Sequence, residues 1–188
     1  MSFEGVIPGS WEGRFWHTAE IVLEAMESSL ESWLGANEAK APKALLTEYT
    51  LALREMAKVK VETAAEEFRT KKTREQKELQ AKAAALETWD VRRSFKLRAD
   101  GIWDVKCPAC ASKAFVAGVQ YYEEVADEHY GEDYEETIDI AYLAEELHCP
   151  ACQLHLENRE SIEAVGIEVD HEEQDIRQRE YEPDYGND

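Results

Sequence analysis

Four cysteines in this chain are spaced for chemistry. Cys107-Pro-Ala-Cys110 recurs as Cys149-Pro-Ala-Cys152, with 38 residues between the copies and no further cysteine. Two sulfurs at i and i+3 of a tight turn grip one ion from one side, and a second such turn completes a tetrahedron with Zn–S distances of about 2.3 Å. The spacing therefore predicts a zinc ribbon with Cys107, Cys110, Cys149 and Cys152 as metal ligands and one Zn2+ per chain. Iron takes the same four thiolates, so spacing alone leaves the ion open between the two. A shell closed by four sulfurs has no position for water or substrate, which points to a structural rather than a catalytic metal. The proline after each first cysteine pre-sets the turn. Ala111 and Gln153 stand where a glycine usually follows the second cysteine, so a positive φ there would carry mild strain.

Other chemistry is thinly represented. Paired disulfides belong to secreted chains, and the amino terminus has neither a basic start nor an apolar stretch of a secretion signal. A redox Cys-x-x-Cys would need a βαβ context, which the region around Cys107 lacks. No Gly-rich phosphate loop, serine-nucleophile elbow or His-Glu-x-x-His run occurs, and the carboxylates are too numerous and dispersed to nominate an acid/base pair. His17 is the only histidine before Cys107, and a single histidine on an amphipathic helix reads as packing. The expectation is a chain that is not an enzyme.

The elements that would position the cysteines follow from periodicity. Phe15, Ala19, Val22, Met26, Leu30 and Trp33 recur three or four apart, as on one face of a helix, and Gly35 supplies a stop. Pro42 suits the first turn of a second helix. From Lys43 to Asp100 there is neither Gly nor Pro; an unbroken helix would be a rod of about 87 Å. Leu45, Tyr49, Ala52, Met56, Val59, Thr63 and Phe68 mark its apolar stripe, and Leu79, Ala83, Leu86 and Trp89 resume it. The polar run RTKKTREQK between them, with Thr73 and Gln76 at capping-box spacing, predicts a break near residues 69–73. Strands are expected at 102–106, at 114–122 with a bulge at Gly118, and at 138–142. The segment 123–136 holds eight carboxylates and reads as too acidic to pair. ESIEAVG reads as one short helix closed by Gly166.

Charge divides the chain unevenly. The net charge is −20, yet residues before Cys107 carry 17 basic against 18 acidic side chains, and those from Cys107 onward carry 4 against 23. Within the first part, Arg69 to Arg98 holds ten Lys/Arg against four acids, a solvated helix face or a contact surface for an acidic partner. The acidic half disfavours direct nucleic-acid binding. The absence of an 18-residue apolar run disfavours a membrane span, leaving the cytoplasm as the expected compartment.

These signals describe an α+β chain: an N-terminal helical bundle or hairpin at 1–100, a small zinc-ribbon β domain at 101–167 and an acidic tail at 168–188. Few aliphatic residues follow Val169, so the tail is expected to be mobile when free, with Tyr181, Pro183 and Tyr185 as a docking element. Trp11 and Trp16, near the end, are core anchors or partner contacts.

The run from CPAC through CPACQLHLENRESIEAVGI to REYEPDYGND resembles C-terminal zinc-ribbon modules of poorly characterised bacterial proteins, some carrying HEPN-like helical domains and some associated with phage defence. The resemblance spans about residues 102–188 and implies the four cysteine ligands. An active HEPN ribonuclease would show a His four to six residues after an Arg, and no Arg here has one. The expected function is thus a non-catalytic zinc-binding interaction or scaffold subunit of a bacterial multi-protein, phage-defence-type complex. Its partners would be a basic protein surface and, through the helices, a second copy. The alternative is an acidic nucleic-acid mimic that inhibits a nucleic-acid-binding enzyme.

Overall fold

The computed structural model describes residues 10–129 and 135–178. Helices come first and one antiparallel sheet follows, an α+β order. The chain forms two compact units, Met1–Val59 and Lys60–Asp188, divided inside the third helix.

In the first unit, α1 (Ser10–Ala25) and α2 (Leu30–Leu34) replace the single helix expected from Phe15 to Trp33. The Ser29 hydroxyl accepts from the Ser32 N–H at 3.1 Å and starts a new helix, so a strong N-cap overrides the apolar period. Gly35 ends α2 with a φ of 92°, its N–H bonded to the Glu31 carbonyl at 2.9 Å. Helix α3 (Lys40–Thr70) carries Pro42 in its first turn. Leu23, Leu30, Ala39 and Leu46 form the core here, with Trp16 and Leu34 against it. At Gly13 a Cβ would lie 2.7 Å from the Tyr49 ring, so glycine permits the close approach of α1 to α3. His17 packs beside Tyr49, ring centroids 6.0 Å apart.

The buried stripe of α3 keeps Tyr49 and Phe68 of the expected set but is elsewhere turned by one residue. Leu46, Leu53, Ala57 and Ala64 are buried, where Leu45, Ala52, Met56 and Thr63 were expected. The helix breaks as expected after Thr70, and α4 (Thr73–Ala84) follows. The means differ from a capping box. Gln76 Nε2 reaches back to the carbonyls of Phe68, Arg69 and Lys71 at 3.0, 3.2 and 3.0 Å, satisfying acceptors that the end of α3 leaves open.

In the second unit, α5 (Thr88–Val91) and a 3-10 turn (Arg92–Ser94) lead into a sheet. The strands are β1 (Gly101–Lys106), β2 (Lys113–His129), β3 (Glu135–His148), β4 (His155–Glu157) and β5 (Asp170–Gln178), with α6 (Arg159–Glu163) after β4. The order is β1-β2-β3-β4, and β5 also pairs β3, along residues 135–143, beyond the stretch used by β4. Phe115 and Ala117 on one face pack under Val91, Phe95 and Ala99. Leu147, Leu156 and Ile162 are fully buried where α6 packs on β3 and β4.

Two acidic segments pair where the sequence suggested they would not. β2 continues through Glu123 and Glu124 to residue 129, paired with β3 from residue 135. Strand alternation sends successive carboxylates to opposite faces, and Val125 opposes Ile138 between them. Residues 170–178, expected to belong to a mobile tail, form β5 over nine paired positions. Backbone pairing and two side-chain contacts supply what aliphatic area does not: His171 stacks on Trp103 at 4.5 Å, and Tyr142 donates to Glu173 at 2.9 Å. Tyr181, Pro183 and Tyr185 lie outside the described residues.

Candidate metal centre

Register explains why the four cysteines meet. Lys106 pairs with Lys113 across the first Cys-Pro-Ala-Cys turn, and His148 pairs with His155 across the second. Phe115 pairs with His148, which sets both turns at the same end of neighbouring hairpins. The turns share one hydrogen-bond pattern. Cys107 N–H donates to Ser112 O at 2.8 Å and Ala111 N–H to Cys107 O at 3.0 Å; Cys149 N–H donates to Leu154 O at 2.9 Å and Gln153 N–H to Cys149 O at 2.8 Å. Ala111 and Gln153 take φ of 59° and 63°, so both turns adopt the left-handed conformation despite the strain it puts on a residue other than glycine.

All four sulfurs lie within 4.8 Å of one another, and all four residues are buried. The short contacts run between turns: Cys107 Sγ to Cys152 Sγ and Cys110 Sγ to Cys149 Sγ, each 3.6 Å. A disulfide would need about 2.05 Å. A regular tetrahedron with metal–sulfur bonds of about 2.3 Å has edges of about 3.8 Å, so the donor set fits a single four-coordinate metal ion.

The thiols also shift one another's ionisation. Cys110 is driven well below the usual thiol range by hydrogen bonds from Cys107 and then Cys149, whereas Cys149 and Cys152 are driven well above it, each first through its bond with Cys107. Four thiols so close cannot all ionise without a cation, and a divalent ion would stabilise all four as thiolates.

Beside the cysteines sits a polar cluster that no motif announces. Glu146, only 3% exposed, accepts from the N–H groups of Lys96, at 3.0 Å, and Leu97, at 3.0 Å, and meets His155 Nε2 at 2.5 Å. Lys96 also pairs with Glu157. Lys96 and Leu97 lie some 50 residues from Glu146 in sequence, so no local pattern announces their contact. Glu146 ties the segment after the 3-10 turn to the sheet. His148, between Phe95 and His155, is held below its usual pKa by burial and then by the neighbouring His155.

Compared with known protein families, with curated proteins and with solved structures, the chain matches none. Among the described residues no helix is long and apolar enough to cross a membrane.

Proposed function

We propose that the chain is a non-catalytic interaction subunit whose zinc-bound ribbon braces an acidic, tyrosine-bearing sheet for docking on a basic protein surface. Zinc is the ion favoured by four thiolates in a closed tetrahedron without redox demand. The observation carrying the docking role is one face of the β2-β3-β5 ribbon. Tyr122, Ala141 and Glu172 stand in one row across the strands, and Glu124, Asp139 and Gln174 in the next. Tyr121, Tyr122 and Ile176 are exposed on this ribbon. Apolar rings supply contact area, and the surrounding carboxylates steer a cationic partner. The resemblance to ribbon modules of bacterial defence-associated proteins supports a place in a multi-protein complex of that kind.

The test is to recover the native partner with the intact chain and measure its affinity for the Glu124→Gln/Asp139→Asn/Glu172→Gln variant. At 0.1 M salt the Debye length is about 10 Å and at 1 M about 3 Å. A basic partner should bind the variant at least tenfold more weakly, and salt should weaken the intact complex. Equal affinity for the variant and the intact chain contradicts the docking role. Displacement of the chain by duplex DNA would instead support nucleic-acid mimicry.

A further inference from the structure

Helix α1 is apolar on two sides, and among the described residues the fold uses only one of them. Its inner side holds Gly13, Trp16 and Leu23 against the first unit's core. At 100° per residue, the opposite arc of about 140° contains Trp11, Phe15, Ile21, Val22 and Ala25, interrupted by Arg14 and Thr18, and Met26 extends it just past the helix end, its N–H bonded to the Val22 carbonyl at 3.1 Å. Every residue of that arc is exposed, Trp11 by 72% and Met26 by 69%. Scattered exposed apolar residues are ordinary, but a continuous arc of this length on one helix marks an interface.

We propose that this arc is a homodimer interface in which α1 of one chain crosses α1 of a second copy antiparallel, near Thr18. Area permits a pair of the smaller kind: the exposed parts of these side chains amount to roughly 600 Å2 per chain, about 1,200 Å2 in total when fully covered, the lower end of the standard range. Shape supports the direction. Turning one helix about a two-fold axis at Thr18 sets Trp11 opposite Ala25 and Phe15 opposite Ile21, large against small or medium along the seam, and the helix dipoles oppose. Polarity permits it as well. The Thr18 hydroxyl already donates to the Arg14 carbonyl at 2.9 Å, so burial strands no donor, and Arg14, inside the arc and opposite Val22, can lay its apolar stem on the seam while its guanidinium stays in water.

The dimer and the docking reading respond oppositely to salt. Two chains of charge −20 repel, so screening should tighten the dimer while it loosens a basic partner. The experiment is sedimentation equilibrium of the metal-loaded full chain from 1 to 100 μM, with Val22→Glu and Phe15→Glu compared. The intact chain should reach twice its monomer mass. Each variant should raise the dimer dissociation constant at least 100-fold with an unchanged far-ultraviolet circular dichroism spectrum. Thr18→Cys should cross-link to its own copy on mild oxidation, and Trp11→Cys, about 21 Å from its equivalent in this arrangement, should not. A monomer at 100 μM, a dimer indifferent to both charged variants, or cross-linking at Trp11→Cys in preference to Thr18→Cys would overturn the proposal.

Discussion

Gln153 and Ala111 hold an L-residue backbone in the left-handed region to shape the two cysteine turns. Such a conformation costs about 1–2 kcal/mol, which glycine escapes at the expense of a freer unfolded chain. Gln153 offsets part of this by donating through Nε2 to the Pro150 carbonyl at 2.8 Å. Ala111→Gly should therefore raise stability by about 0.5–1 kcal/mol and Gln153→Gly by less, as read from thermal unfolding of the metal-loaded protein. Glu146 lies at the other extreme, a buried carboxylate with three donors. Glu146→Ala leaves the Lys96 and Leu97 N–H groups without their acceptor and should cost about 3 kcal/mol in urea unfolding. Tyr142 supplies a pH signature. Burial, then its hydrogen bond to Glu173, pushes its phenol up to about 12 from the ordinary 10. The folded protein thus holds that proton more tightly than the unfolded chain does. The associated stability is intact below pH 10 and is lost as pH rises toward 12. Between pH 9.5 and about 11.5, stability measured by urea should fall more steeply for the intact chain than for Tyr142→Phe; parallel slopes would refute this assignment of the phenol.

The β2-β3-β5 ribbon shows what a local pattern hides. Ile138 to Tyr142 announced itself through alternation, and its neighbours did not, because the carboxylates at 123–129 and 170–178 mask a backbone that pairs well. Their repulsion is cheap in water, about 1 kcal/mol for two charges 4 Å apart. Arg177 further relieves it by bonding Glu123 at 2.8 Å, as does Gln174 by donating to Asp139 at 2.8 Å. The irregularity expected at Gly118 is present as a register shift between Ala117 and Gly118. The reason lies in space that sequence does not display: a Cβ there would sit 2.7 Å from the Leu143 carbonyl oxygen and 2.7 Å from the Trp103 ring. Gly118→Ala should destabilise the sheet by about 1–3 kcal/mol, since the backbone oxygen cannot move aside as a flexible side-chain tip would. The helices were legible in type and in their break after Thr70, and illegible in face. On α1 the apolar stripe was legible, but not that Phe15, Val22 and Met26 on it stay exposed.

Across the whole molecule, the meeting of the four cysteines was legible because two copies of one short Cys-Pro-Ala-Cys spacing account for every cysteine in the chain. Their convergence depends on the Phe115–His148 register, which no spacing reveals. Glu146 was not legible, since its partners come from a segment distant in sequence. Apparent binding energies of about 10–16 kcal/mol for structural zinc sites are as large as the whole stability of an ordinary domain, about 5–15 kcal/mol, so the ion should decide whether the sheet folds. The helical elements have their own buried contacts among Leu23, Leu30, Ala39 and Leu46 and should retain helix signal without metal. The most direct measurement is elemental analysis of the folded chain together with its Cys110→Ser variant. One zinc per intact chain is expected, with the variant losing the metal and the cooperative unfolding of the sheet. Iron in place of zinc, or a folded chain without metal, would contradict it.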